Sequence, residues 1–378
     1  MKYYVIAGEA SGDLHGSNLL IEIKKLDSSA AFRCWGGEKM QATGAQLVKH
    51  YRDLAFMGFT EVLMNLRTIF HNLDSCRKDI LQYKPDALIL IDYPGFNLRI
   101  AKWAKQQGLK VIYYISPQVW AWKEGRVKMM KECIDKMLVI LPFEREYYKK
   151  KWNWEVEYVG HPLVEVIEKK KSEVRSQKFS DKKIIALLPG SRKQEILKKL
   201  PVMLEVSRSF SNYQFIVAKA PGLEDSFYDN LLKSFPTVSY VTNKTYDLLM
   251  QSSAALVTSG TATLETALFG IPEVVCYKGS PISYQIAKRV IKVKYISLVN
   301  LIMDKPIVKE LIQNELTPQN LLTELKNLLQ DETFRENLAN DYNRLKQILS
   351  EGGNASAKAA YSIVTYLIKK PAHKSEPE

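Results

Sequence analysis

Nowhere does the 378-residue chain contain the roughly 18 consecutive apolar residues that a membrane-crossing helix requires. Its start, Met1-Lys2-Tyr3-Tyr4-Val5-Ile6-Ala7-Gly8-Glu9, has too short an apolar run for a secretory signal and meets a carboxylate at once. There are only four cysteines, Cys34, Cys76, Cys133 and Cys276. Far apart and without Cys-x-x-Cys spacing, they form no disulfide framework and no zinc site, and read as reduced core thiols. A soluble, cytoplasmic protein is expected. No basic arm or tail is present either: the net charge of +13 divides into +6 over residues 1–164 and +7 over the remainder. That spread argues against nucleic-acid binding and fits an anionic membrane surface, a phosphorylated substrate, or simply a solvated basic surface.

What the chain does have is 46% hydrophobic residues, enough for sizeable cores, and a length that implies two or three domains. Its most informative stretch runs from Ala254 to Tyr277. It reads as a buried strand, a Ser259-Gly260-Thr261 turn, a short helix closed by Gly270, and a second buried strand. Such a turn directs free backbone N–H groups and a positive helix end at one spot, and its glycine admits an anion close to the main chain. Glu265, about one helical turn beyond Thr261, can reach the same pocket and accept hydrogen bonds from a vicinal diol. Phosphate seat plus carboxylate suits a nucleotide; the plainer alternative is a strand-to-helix connection in which Ser259 or Thr261 is only an N-cap.

Taken in order, Tyr3–Ala7 is a strand followed by the loop Gly8-Glu9-Ala10-Ser11-Gly12-Asp13 and a helical pattern over Leu14–Leu26. The loop's spacing matches neither the dinucleotide fingerprint nor a Walker A sequence. Ala31–Trp35 is a second strand. Residues 61–83 follow a helical period, with Val62, Leu63, Leu66, Ile69 and Phe70 apolar and Arg67, Arg77 and Lys78 among them. This is either a core-facing amphipathic helix or, with Phe56-Met57-Gly58-Phe59, a basic and apolar flank that rests on lipid. Ala87–Ile91 is a buried strand delivering Asp92 at its C-terminal end, the edge where parallel sheets bind ligands, which makes Asp92 a candidate general base.

Lys110–Ile115 is a further strand, ending in Ser116-Pro117-Gln118-Val119-Trp120-Ala121-Trp122, whose tryptophans either pack as core or wall a pocket for sugar or acyl chains. After the charged segment Val164–Lys182, a second alternating series begins at Ile184–Leu188 and runs into Pro189-Gly190-Ser191-Arg192. Arg192, just after a strand, is placed to clamp a phosphate, or else is a solvated surface arginine. Helices are expected near 282–291, 308–313, 318–329, 331–349 and 355–369.

Strands alternate with helices throughout, so the right-handed crossover rule makes each half a doubly wound parallel sheet. The expected fold is α/β, with two Rossmann-like domains facing across a cleft. The first spans 1–164 and would hold the acceptor. The second, 165–350, holds the nucleotide; helix 351–370 is expected to cross back, and 371–378 is a disordered tail. Group transfer from a nucleotide-activated donor to an acceptor follows from that arrangement.

Several motifs together carry a resemblance. They are Gly8–Asp13, Met57-Gly58-Phe59-Thr60-Glu61-Val62, Ser116–Trp122, Leu188–Arg192, Ser259-Gly260-Thr261-Ala262-Thr263-Leu264-Glu265 and Tyr295-Ile296-Ser297-Leu298-Val299-Asn300. Over roughly residues 2–368 the chain resembles the lipid-A-disaccharide synthase family. The resemblance implies a glycosyltransferase B fold and an inverting transfer from UDP-2,3-diacylglucosamine to 2,3-diacylglucosamine 1-phosphate, with release of UDP and without metal or cofactor. It implies Asp92 as the base, Arg192 and Ser259-Gly260-Thr261 on the UDP phosphates, Glu265 on the ribose and Asn300 in the donor pocket. Glu9, Ser11, Gly12 and Asp13 would line the acceptor side. It also implies peripheral attachment to the inner face of the inner membrane and leaves a homodimer open. One departure is visible: many family members carry a second carboxylate where this chain has Gly95.

Two alternatives remain at this point. One is another UDP-N-acetylglucosamine enzyme of the same fold, a 2-epimerase or the lipid II-forming transferase. The other is a non-enzymatic nucleotide-binding protein.

Overall fold

The apolar runs become the central strands of two parallel sheets. A computed structural model of the chain describes residues 1–54, 66–173, 178–220, 222–280, 284–285, 289 and 293–368. Phe56-Met57-Gly58-Phe59, the Met57–Val62 motif, Leu63, most of the helix expected over 282–291 and the tail 371–378 lie outside the described residues.

The first sheet contains β1 (Lys2–Ala7), β2 (Ala31–Gly36), β3 (Gln46–His50), β4 (Ala87–Ile91), β5 (Val111–Tyr114), β6 (Lys136–Val139) and β7 (Glu157–Tyr158). Their order is β3-β2-β1-β4-β5-β6-β7. Parallel strands covered by helices on both faces must be apolar on both faces, and every residue of β4 and β5 is buried. The strand order reverses between β1 and β4, where Ala7 lies opposite Ile91. That register sets the loop beginning at Gly8 beside the one beginning at Asp92, at the switch point where open α/β sheets take ligands.

The second sheet contains β8 (Lys183–Leu188), β9 (Tyr213–Lys219), β10 (Ser239–Thr242), β11 (Ser252–Thr258), β12 (Glu273–Tyr277) and β13 (Lys309–Ile312), in the order β10-β9-β8-β11-β12-β13. Here the reversal falls between β8 and β11, with Leu188 opposite Val257. Pro189–Arg192 and Ser259–Thr261 are thereby neighbours.

Two strands differ from expectation. The helix expected over 308–313 is a strand for most of its length, because β12 offers an open edge: Val274 pairs with Lys309 and Tyr277 with Ile312. A four-residue strand holds too short a pattern for periodicity to separate it from a helical turn. The strand β3 had no apolar run to announce it, since none of its residues is fully buried.

Contacts divide the chain into two compact units, Met1–Pro162 with Ser350–Glu378, and Leu163–Leu349. The helix Ala355–Ile368 belongs to the first. Its Ala359, Ala360 and Ile363 are buried in one apolar cluster with Leu19, Leu20 and Ile23 of the helix Ala10–Leu26. Ser362 Oγ donates to Glu157 at 2.6 Å. In the helix Leu66–Tyr83 the buried face is Leu73, Cys76 and Ile80, whereas Phe70 is 65% exposed. Among the described residues no helix is long and apolar enough to cross a membrane.

Candidate active site

Asp92 follows β4 directly and takes a left-handed backbone (φ 44°), as does Tyr93 (φ 48°). Two consecutive non-glycine residues there are strained, and the surroundings hold them in place. The Asn97 amide, fully buried, donates to the carbonyl oxygens of Asp92 at 2.7 Å, Ile91 at 3.2 Å and Ile6 at 3.4 Å. The Tyr113 hydroxyl donates to the Asp92 carbonyl at 2.6 Å. With its main chain fixed, the Asp92 carboxyl is pushed up to about 7, by burial first and then by the negative charge of Glu9; the Tyr93 N–H opposes the shift. A carboxylate poised near neutrality is what general-base catalysis at physiological pH requires.

Glu9 is the N-cap residue of the helix Ala10–Leu26, and the β1–β4 register brings it to Asp92. Ser11 is exposed in the first turn, and Gly12 is buried against Ala7. Asp13 stands apart from these three. Its buried carboxylate accepts from the backbone N–H groups of Gly37 (2.7 Å), Lys39 (3.1 Å) and Met40 (3.1 Å), capping the helix Glu38–Ala42. Its oxygens are therefore committed to the protein's own loop.

Trp120 is half-buried and Trp122 is 48% exposed. The Trp120 indole donates to Glu144 Oε1 at 3.1 Å and meets the Phe143 ring edge-on at 4.9 Å. Glu144, which also accepts from the Leu141 N–H at 3.0 Å, is fully buried and raised to about 8 by desolvation against those hydrogen bonds. Nothing in the sequence marked this buried carboxyl, which lies 24 residues from the tryptophan it holds.

In the second unit, Ser191, Arg192, Ser259, Gly260, Thr261 and Glu265 line a single cavity of about 460 Å³. Gly260, with φ 133°, turns the chain from β11 into the helix Thr261–Phe269, so the helix N-terminus opens on that cavity. Ser259 Oγ is engaged with the Ile296 carbonyl at 3.2 Å. Glu265, its carboxyl raised by burial, accepts a 2.7 Å hydrogen bond from the Tyr246 hydroxyl. Asn300 does not line the cavity; it is buried, accepting from the N–H groups of Ile307 and Val308 and donating to the Val308 carbonyl and Glu310. It braces the loop that reaches Ser259.

The cavity also has walls that sequence reading missed. Lys219 ends β9, is buried, pairs with Asp225 and lies 5.9 and 5.7 Å over the rings of Tyr228 and Tyr240. Glu195, three residues after Arg192, is a further lining residue. For Glu195 the signal was its i+3 spacing from Arg192; for Tyr246 there was none.

A family model described as lipid-A-disaccharide synthetase matches residues 3–364. The chain is 39% identical to the lipid-A-disaccharide synthase of Syntrophus aciditrophicus over 376 residues, covering 97% of each protein. It is 36% identical to that of Coxiella burnetii, covering 95% of this chain and 98% of the relative. Among solved structures, the UDP-GlcNAc 2-epimerase from Neisseria meningitidis bound to UDP-GlcNAc superimposes with a TM-score of 0.66 at 14% identity, covering 98% of this chain and 100% of that one. The glycotransferase of kitacinnamycin gives 0.64 at 13% identity, covering 97% and 99%. At such identities the structural likenesses speak for the fold alone.

Proposed function

The chain belongs to the lipid-A-disaccharide synthase family, and from that premise we propose that it joins UDP-2,3-diacylglucosamine to 2,3-diacylglucosamine 1-phosphate, giving the lipid A disaccharide 1-phosphate and UDP. It is a glycosyltransferase of lipid A biosynthesis. The epimerase alternative rests on fold likeness at 14% identity and is not favoured beside 39% identity over the whole chain.

In the proposed mechanism an acceptor hydroxyl gives its proton to the Asp92 carboxylate as its oxygen attacks the donor's anomeric carbon. The new carbon–oxygen bond forms on one face while the bond to the diphosphate breaks on the other, so configuration inverts and the electron pair leaves with UDP. What supports the base assignment is Asp92's place at the C-terminal end of β4, at the switch point beside the Glu9 loop, with its carboxyl raised to about 7 by burial and by Glu9. On the donor side, backbone N–H groups after Gly260 and the Arg192 guanidinium take the negative charge of the leaving diphosphate, and Glu265 accepts from the ribose diol. Asp13 and Asn300 act through the loops they brace. Ser11 and Gly12 would face the acceptor.

The acylated substrates give the basic surface a reason to meet an anionic leaflet, with each lysine or arginine contributing about 1 kcal/mol there. Arg67 and Trp122, both exposed, are candidates for that contact. Mass spectrometry of the product from the two acylated substrates tests the reading. A disaccharide 1-phosphate is expected; turnover of UDP-N-acetylglucosamine without an acylated partner would contradict it.

A further inference from the structure

A carboxylate in the wall of a cavity that is to receive a diphosphate works against binding, and Glu195 is such a residue. It sits in the first turn of the helix Lys193–Ser207, whose N-cap is Arg192. Its two oxygens are divided between two cations: Oε1 lies 3.4 Å from Arg192 Nη1, and Oε2 lies 3.6 Å from Lys199 Nζ. Lys199 is buried beneath the loop, and its ammonium donates to Thr258 Oγ1, the residue just before the Ser259-Gly260 turn. Gly190 makes room for the carboxylate: its φ is 117°, and a Cβ there would stand 2.9 Å from Glu195 Oε2 and 3.5 Å from Lys199 Nζ.

We propose that Glu195 is an internal counter-anion, which competes with the donor's diphosphate for Arg192 and takes the guanidinium back as UDP leaves. The inference rests on the reading of this cavity as the UDP seat. Arg192 and Glu195 are 61% and 38% exposed, so their ion pair is weak and exchangeable, whereas Lys199 is enclosed and stays with Thr258. The arrangement keeps the seat from binding the UDP product too tightly. In this role Glu195 is a positioning residue that sets how firmly the diphosphate is held. A purely structural role, first-turn complementation of the helix dipole, would leave nucleotide affinity unchanged.

The test is calorimetric binding of UDP and of uridine, which lacks the diphosphate, to the unmodified protein, Glu195→Gln and Glu195→Asp, with thermal melts to verify folding. Removing an exposed competing charge is expected to tighten UDP by about two- to fivefold in Glu195→Gln, leave uridine unchanged, and leave Glu195→Asp near the unmodified protein. UDP affinity that is unchanged or weakened in Glu195→Gln overturns the proposal. Equal tightening of uridine does so too, because the effect would not then involve the diphosphate. A failure of the unmodified protein to bind UDP at all overturns the reading of the cavity and this inference with it.

Discussion

The side-chain amide of Asn97 donates to the carbonyl oxygen of Asp92 at 2.7 Å, across the left-handed turn formed by Asp92 and Tyr93. Together with the Tyr113 hydroxyl, this buried side chain fixes the backbone from which the proposed base projects. Asn97→Ala removes all three of its donations to main-chain carbonyls and leaves buried acceptors with fewer partners, at a cost of about 1–3 kcal/mol in stability. Turnover is expected to fall by tenfold or more while UDP affinity stays, as read by UDP release and calorimetry. Unchanged kcat would mean that the turn holds itself.

With Asp92 as the proposed base, its raised carboxyl predicts the pH profile. Below about pH 7 the group is protonated and cannot accept the acceptor's proton, so kcat/KM should fall tenfold per pH unit on the acid side. Glu9→Gln removes a like charge and should move that limb to lower pH. Stability runs the other way: a carboxyl raised in the folded state favours folding at low pH, and the contribution is lost as pH rises from about 4 to 7. Asp92→Asn should therefore melt higher than the unmodified protein at pH 8, by an amount on the order of a few kcal/mol in stability.

Tyr246 holds Glu265 by a 2.7 Å hydrogen bond that phenylalanine cannot make. Losing a hydrogen bond to a carboxylate is worth about 1.5–3 kcal/mol at most, less where water can substitute. Tyr246→Phe should weaken UDP binding roughly three- to tenfold and shrink the preference for UDP over 2′-deoxy-UDP. Affinity and preference both unchanged would remove Tyr246 from the ribose contact.

Gly8 lies against the Tyr93 ring, and a Cβ at that position would stand only 2.3 Å from its Cγ and Cδ1. Tyr93 in turn donates its hydroxyl to the Leu54 carbonyl at 3.0 Å. Gly8→Ala should displace Tyr93 and with it the Asp92 turn, lowering stability by about 1–3 kcal/mol and activity more than the melt alone explains.

How far these features were legible in the sequence depended on whether they were local. Asp92 at the end of Ala87–Ile91 and the Ser259–Glu265 turn could be read directly, because strand, loop and helix follow each other along the chain. The same holds for the central strands of the parallel sheets, whose apolar runs announce them. Tyr246 on Glu265, Glu144 on Trp120 and Lys199 under Gly190 could not, since each pair joins residues far apart or hidden in the middle of a helix. Asp13 and Asn300 had the right chemistry and the right neighbourhood, but their hydrogen bonds form only in the folded chain: Asp13 accepts from backbone N–H groups, and Asn300 bonds backbone groups and the Glu310 carboxylate. The strand Lys309–Ile312 owes its form to the edge of β12 rather than to its own pattern.

Asp92 is the proposed base of an acceptor-dependent transfer. The most direct measurement is UDP release from UDP-2,3-diacylglucosamine, with and without 2,3-diacylglucosamine 1-phosphate, for the unmodified protein and Asp92→Asn. Release that needs the acceptor and falls at least about 100-fold in the variant, with UDP binding retained, is the predicted result. Acceptor-dependent release that survives the substitution would contradict it.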